Sequence, residues 1–226
     1  MTGLPLSVLR HPLPALCTVA PGLRPRLGVR DHITDLYGVA LTFDGGPDPR
    51  GTPRVLHLLE TMGVVATFFV TGEQVRAHPS VAADVVSAGH EIAVKGDRHR
   101  NVLRVSPWTL RDDLRRAEAA IATATGVLPR FYRPPYGVLS AAALALATEH
   151  GWEPVLWTRW GHDSRASASA VSIATDLTRD VVGGEILMLH DADRYSVPCS
   201  WRHTLAALPA IIGDIRAAGF EFRAIG

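Results

Sequence analysis

Val39-Ala40-Leu41-Thr42-Phe43-Asp44, followed at once by Gly45-Gly46-Pro47, is an apolar run that ends on a carboxylate and then turns. A buried strand that stops at a charged residue before a sharp turn delivers that charge to the rim of a sheet. The blander reading is that Asp44 caps the loop through its own side-chain oxygen. Later strands decide between the two, because several of them end in the same manner.

Outward from this stretch, strand and helix signals alternate. Pro53 to Met62 carries apolar residues at helical spacing, with proline in the first turn. Val64-Val-Ala-Thr-Phe-Phe-Val70 has the β-branched and aromatic composition of a strand covered on both faces. Helices are expected at Ser80–Ser87, Thr109–Thr125, Ser140 to Gly151, Ser169–Val182 and Thr204–Ala218. Strands are expected at His90–Val94, Phe131–Arg133, Pro154–Trp157, Glu185–His190 and Phe220–Ile225. Seven strands interleaved with helices call for parallel pairing with the helices outside. Right-handed crossovers curl such a sheet into a (β/α) barrel, complete or open. Residues 1–38, with Pro5, Pro12, Pro14, Pro21 and Pro25, read as an irregular lead-in that wraps a domain spanning 39–226.

Composition narrows the partners. With 226 residues, 47% hydrophobic and 20% charged, the chain has the makeup of one ordinary globular domain with a sizeable core. A net charge of +1 gives no electrostatic footprint for nucleic acid or for an acidic membrane surface. Cys17 and Cys199 stand far apart, outside any zinc or disulfide spacing. No apolar run reaches the roughly 18 residues of a membrane span. Arg10, His11, Pro12 and Pro14 break the pattern of a secretory leader. A cytoplasmic location is the expectation, with secretion the lesser one.

In parallel α/β barrels the chemistry sits on the loops after the strands. Those positions hold Asp44, Thr71-Gly72-Glu73, Lys95 to His99, Arg133 and Tyr136, Trp157 to Asp163, and His190-Asp191. A single histidine at a strand end is more often a satisfied structural residue than a functional one. Here six polar strand ends converge on one mouth.

From about Val39 to the C-terminus the chain resembles the polysaccharide deacetylases, the carbohydrate-esterase family of chitin and peptidoglycan deacetylases. That resemblance implies a distorted seven-stranded (β/α) barrel. The family's first motif, Thr-Phe-Asp-Asp-Gly-Pro, corresponds to Thr42-Phe43-Asp44-Gly45-Gly46-Pro47. It implies that Asp44 is the catalytic base and that a metal ligand has become Gly45. The second motif, His-x-x-x-His, is approached by Gly89-His90-Glu91-Ile92 and places the remaining ligands at Lys95 and His99, so that only His99 survives. Arg133-Pro134-Pro135-Tyr136 matches the third, whose Arg holds the base and whose Tyr backbone N–H faces the oxyanion. In the fourth, Asp163 matches the orienting acid and Ser164 stands where a Trp would be. Leu187-Met188-Leu189-His190 matches the fifth, which makes His190 the general acid. Trp157, Trp160, Pro135 and Leu187 are expected to line the substrate pocket.

A catalytic zinc needs three protein ligands and an open position. Gly45 offers no donor, and Lys95 could coordinate only as a neutral amine, against a reference pKa of ~10.4. No cofactor is therefore expected unless other residues, His162 among them, are recruited to hold zinc or another divalent ion. Lys95 admits two readings. Its ammonium could offset charge developing on a carbonyl oxygen, or it pairs with Asp44 or Asp97 and plugs an abandoned metal pocket. The leading expectation is a metal-independent enzyme with Asp44 as base and His190 as acid. It would hydrolyse a C–N (amide or N-acetyl) bond of a small or amino-sugar-containing molecule, or perform related isomerase, lyase or cyclase chemistry. The alternatives are an inactive homologue retained for binding, with Trp160 and Trp108 stacking on sugars, and a metal deacetylase with replacement ligands.

Overall fold

The computed structural model describes residues 21–226. The readings that fall on Pro5, Pro12, Pro14, Cys17 and the leader pattern lie outside the described residues. Eight strands form one sheet: β1 (Gly38–Asp44), β2 (Thr67–Thr71), β3 (Glu91–Gly96), β4 (Phe131–Tyr132), β5 (Glu153–Pro154), β6 (Arg159–Trp160), β7 (Ile186–His190) and β8 (Glu221–Arg223). Seven run in the order β5-β4-β3-β2-β1-β7-β6, and β8 joins the start of β1. All pairings between named strands are parallel. The architecture is the curled α/β sheet with outer helices that the sequence called for.

The stretch that opens the reading is the centre of this sheet. β1 pairs β2 on one side and β7 on the other, and all seven of its residues are buried. Because side chains alternate across a strand, the even and odd positions of β1 part company. Val39, Leu41 and Phe43 join a large core with the helices, together with Phe68, Val94, Tyr132, Leu187 and Leu189. Phe43 and Phe68 stack there with ring centroids 5.0 Å apart. Ala40 instead meets Phe69, Ala93, Phe131, Val155 and Ile186 in a second cluster, the floor of the barrel. Two residues further along each strand, that same inward face carries Thr42 and then Asp44, Lys95, Arg133, and Met188 and then His190. The site is the polar top of an apolar column.

Among the described residues there are seven α-helices: α1 (Thr52–Thr61), α2 (Gly72–Ala77), α3 (Pro79–Ser87), α4 (Pro107–Thr125), α5 (Ala141–Glu149), α6 (Ala170–Thr178) and α7 (Trp201–Ala217). Side chains of Ser106, Ser140 and Ser169 cap α4, α5 and α6 by accepting from backbone N–H groups in the first turn. α2 is an addition to the sequence reading. Its first residue must be glycine, since a Cβ on Gly72 would lie 2.6 Å from Asp97 Oδ1 and 2.8 Å from the Ala117 Cα on α4. That requirement makes a helix start look like a turn in the sequence.

Of the strand expected at Pro154–Trp157 only Pro154 lies in a named strand, at the end of β5, and β6 begins beyond the expected stretch, at the opposite end of the sheet. The chain between them crosses the barrel's open seam, with Val155 N–H donating to the Tyr132 carbonyl of β4 at 2.8 Å and Thr158 N–H to the Ile186 carbonyl of β7 at 3.0 Å. Its other backbone groups find other partners. Arg133 donates to the carbonyls of Val155 (3.3 Å) and Leu156 (3.2 Å). The lead-in residue Arg30 bridges Val155, accepting from Leu156 N–H and donating its own N–H to Pro154. His32 forms an antiparallel bridge with Glu185. Among the described residues no helix is long and apolar enough to cross a membrane.

Candidate functional site

At the barrel mouth Asp44 is almost wholly buried and held from both sides. Arg133 Nη1 donates to its Oδ1 at 2.9 Å, and Lys95 Nζ donates to its Oδ2. Arg133 is itself inaccessible, lies 3.9 Å over the Phe69 ring, and also donates to Thr42 Oγ1 at 2.8 Å. Thr42 in turn donates to the Leu187 carbonyl at 2.7 Å. Burial by itself raises the Asp44 carboxyl, but the two cations outweigh it and bring the group down to about 2. Burial pushes the Lys95 ammonium down, and Asp44 restores it only in part.

A second network faces this one. His190 Nδ1 lies 2.9 Å from Asp163 Oδ1, and His190 N–H donates to Asp163 Oδ2 at 2.6 Å. Thr204, from the first turn of α7, donates to the same oxygen at 2.7 Å. Burial works against a charged imidazole, yet Asp163 more than offsets it, so His190 titrates above its ordinary range. Asp163 is held below its own by His190, against the opposing effect of burial. With Nδ1 committed to Asp163, Nε2 is left facing outward, the arrangement of an oriented proton donor.

Between the two networks lies a cavity of ≈ 240 Å³, lined among others by Asp44, Lys95, His99, Tyr136, Trp157 and Trp160. Met188, His190 and Tyr195 complete its wall. His99 is packed edge-on against Tyr136 (centroids 4.5 Å) and stacked on Tyr195 (4.3 Å). Burial, and next Lys95, push its imidazole down to about 3, so it is neutral. Tyr136 sits in the left-handed region at φ 62°.

Of the residues expected at the mouth, Asp44, Lys95, His99, Tyr136, Trp157, Trp160 and His190 do line the cavity, with Arg133 and Asp163 directly behind it. Two do not. Leu187 points the other way, into the core beneath the helices, and Met188 takes the place assigned to it. Pro135 is buried against a separate small pocket under the β3 loop. Lys95 pairs with Asp44, while Asp97, its other candidate partner, is engaged by Arg76 and Arg116. Trp108 is exposed but lies outside the cavity lining. Sequence reasoning missed Thr42, Thr204, Met188 and Tyr195. Strand parity with Asp44 and His190 was the available signal for Thr42 and Met188; Thr204 and Tyr195 carry none.

The family's divalent metal does not fit the residues present. Gly45 has no donor, an ammonium already paired to Asp44 occupies the second position, and His99 is enclosed by two tyrosine rings. His162, the candidate replacement, turns its Nδ1 toward Asp176 at 3.0 Å. Among the described residues no three His, Cys, Asp or Glu side chains are grouped to hold an ion.

Across the cavity of this α/β barrel the His190–Asp163 pair thus faces the buried Asp44–Arg133 pair. The sequence profile of the polysaccharide deacetylases matches residues 34–155, and the chain belongs to that family. A peptidoglycan-N-acetylglucosamine deacetylase of Bacillus cereus is 33% identical over 188 residues, 81% of this chain and 84% of that one. A chitooligosaccharide deacetylase of Bradyrhizobium is 33% identical over 207 residues, 87% of this chain and 94% of that one. Among solved structures, a mutant of a CE4-family pseudoenzyme with restored enzymatic activity superposes with a TM-score of 0.76 at 25% identity, covering 84% of this chain and 66% of that one.

Proposed function

We propose that this chain is a deacetylase-family barrel that binds an amino-sugar-containing ligand in its mouth without cutting it by the family's metal route. The observation that carries the reading is the Lys95–Asp44 pair. A fixed positive charge stands at a residue position that the family resemblance assigns to a ligand, so Asp44 is electrostatically satisfied. An ammonium, however, cannot convert water into hydroxide as a metal does. With Asp44 at about 2 and bare water at ~15.7, full proton transfer is uphill by on the order of 19 kcal/mol. That outweighs the 10²–10⁴-fold that a positioned base typically supplies. The relatives named for chitooligosaccharide and peptidoglycan deacetylation support amino sugars as the ligand class. The restored pseudoenzyme supports the idea that the fold persists without turnover.

The His190–Asp163–Thr204 network favours a second reading, metal-independent acid–base cleavage of an N-acetyl or activated amide bond with His190 as acid and Asp44 as base. Acetate release from chitooligosaccharides separates the two. Binding by calorimetry with no acetate released, with or without added zinc, is the expected result. Turnover that persists in EDTA and is lost in Asp44→Asn would establish the second reading instead. The double change Gly45→Asp with Lys95→His should raise zinc affinity more than tenfold. Space for the new carboxylate exists, since the nearest atoms to a Cβ on Gly45 are 3.9 Å away, but its φ of +100° strains any side chain placed there.

A further inference from the structure

The loop between β3 and α4, with the first turn of α4, carries charge and apolar surface that the mouth does not use. A net charge of +1 conceals its imbalance. From Asp97 to Arg116 the chain holds six arginines and three aspartates. Arg111 pairs with Glu149, and Arg116 shares Asp97 with Arg76. Glu73 of α2 is taken by Arg194 and Tyr195, and Glu118, further down α4, is turned to His150. Adding Arg76, Arg194, Glu73 and Glu149 gives eight arginines against five carboxylates, a surplus of three. The mouth behind does not reduce it. Lys95 and Arg133 match Asp44 and Asp163 in number, and a protonated His190 only adds to the surplus. Arg98, Arg100 and Arg104 form no ion pair among the described residues; Asp113, buried nearby, accepts from the backbone N–H groups of Asp97 and Arg98 instead.

The same loop turns large apolar side chains to solvent. Val102 is buried, and with Val105 it lines a small pocket against Pro135, which pins the loop to the barrel. Asn101 then makes a turn, accepting from Leu103 N–H on its Oδ1 and from Arg104 N–H on its carbonyl, each at 3.0 Å. Leu103 and Arg104 are left outside. Leu103 is 51% exposed and Trp108, on the first turn of α4, is 64% exposed. Both lie at the C-terminal end of the strands, on the rim that also carries Tyr136 after the neighbouring β4.

We propose that this rim docks on an anionic lipid bilayer, with Arg98, Arg100 and Arg104 against headgroup phosphates and Leu103 and Trp108 entering the interface. Guanidinium groups suit phosphate oxygens, and a cluster of basic residues is drawn to the negative surface of a bilayer. Tryptophan is favoured at the level of the headgroups, and buried apolar area adds to the electrostatic attraction. A soluble anion would account for the arginines alone; the exposed leucine and tryptophan among them are what a bilayer adds. The proposal stands apart from the reading of the mouth, since none of these five side chains takes part in its two networks.

The test is co-sedimentation of the full chain with vesicles of phosphatidylcholine alone or mixed with phosphatidylserine. Binding to the mixed vesicles is expected to be about tenfold or more the tighter, and to weaken as salt is raised. The triple change Arg98→Gln, Arg100→Gln, Arg104→Gln should abolish the preference. Leu103→Ser with Trp108→Ser should weaken binding at constant charge. These side chains are exposed or without ion pairs, and the lipid comparison on the unmodified chain does not depend on any variant folding. No association with the mixed vesicles, or equal association with both kinds, would overturn the proposal. So would a triple variant that binds as the unmodified chain does, since another part of the chain would then be the dock. Soluble polyphosphate bound as tightly as the mixed vesicles, with Leu103 and Trp108 dispensable, would make the rim a polyanion site and overturn the bilayer as its partner.

Discussion

The two sides of the barrel mouth are held together in different ways. On one side His190, Asp163 and Thr204 form a complete donor–acceptor chain, with every Asp163 oxygen bonded and the imidazole fixed. On the other, where the family resemblance implies metal ligands, Gly45 offers no donor, Lys95 forms a salt bridge with Asp44 and His99 stacks on Tyr195. The first needs only charge complementarity between neighbours on β7, the β6–α6 loop and α7. The second would need three donors converging at ~2.0–2.2 Å on one point, a much narrower target. A glycine at one such position and an ammonium at another rule out that convergence, while the ammonium still balances the Asp44 charge.

The contrast is most open to attack at Asp44. Asp44→Ala would strand two buried cations, Lys95 and Arg133, and should cost about 3–5 kcal/mol in chemical denaturation. A loss below about 1 kcal/mol would mean that the cations relax to solvent and that the plugged-cage description is wrong. Asp163→Asn preserves volume but replaces an acceptor oxygen with a donor facing other donors. It should cost about 2 kcal/mol and drop His190 from its raised range toward or below the ordinary ~6.5, read by NMR titration.

Acid titration probes both sides in wild type. Asp44 is depressed from 3.8 to about 2, so its stabilisation is present above pH ~3.8 and lost as pH falls through 2. That shift corresponds to about 2–3 kcal/mol. His190 is raised, so its contribution is complete below pH ~6.5 and is lost as pH rises through its folded value. Stability should therefore fall off on both flanks, and Lys95→Met should move the acid flank upward in pH. The smallest effect expected is for Tyr195→Phe. It removes the 2.6 Å bond to Glu73 while keeping the ring over His99, and should cost under about 1 kcal/mol.

Much of this arrangement was legible in the chain. The β1 stretch announces a buried strand carrying a carboxylate to a rim, and the polar residues after Val94, Tyr132 and Leu189 announce the same rim. That Gly45 and Lys95 bring no ordinary ligand donor is a fact of composition, while their being ligand positions is what the family resemblance implies. Leu187 was misplaced where strand parity with His190 would have selected Met188. The Pro154–Trp157 stretch reads as one strand because nothing local reveals that the sheet's two ends meet there.

Sequence by itself determined the alternation of strands and helices and the inward column from Ala40 to Asp44. Those properties depend on side-chain chemistry and on a period of two residues, both local. Only the tertiary structure decided that Lys95 chooses Asp44 over Asp97, that His162 faces Asp176, and that Thr204 completes the Asp163 network. Each of these is a choice among partners distant in the chain. In a buried site that choice is made by which charged groups the closed sheet brings within a few ångströms of one another, out of reach of water.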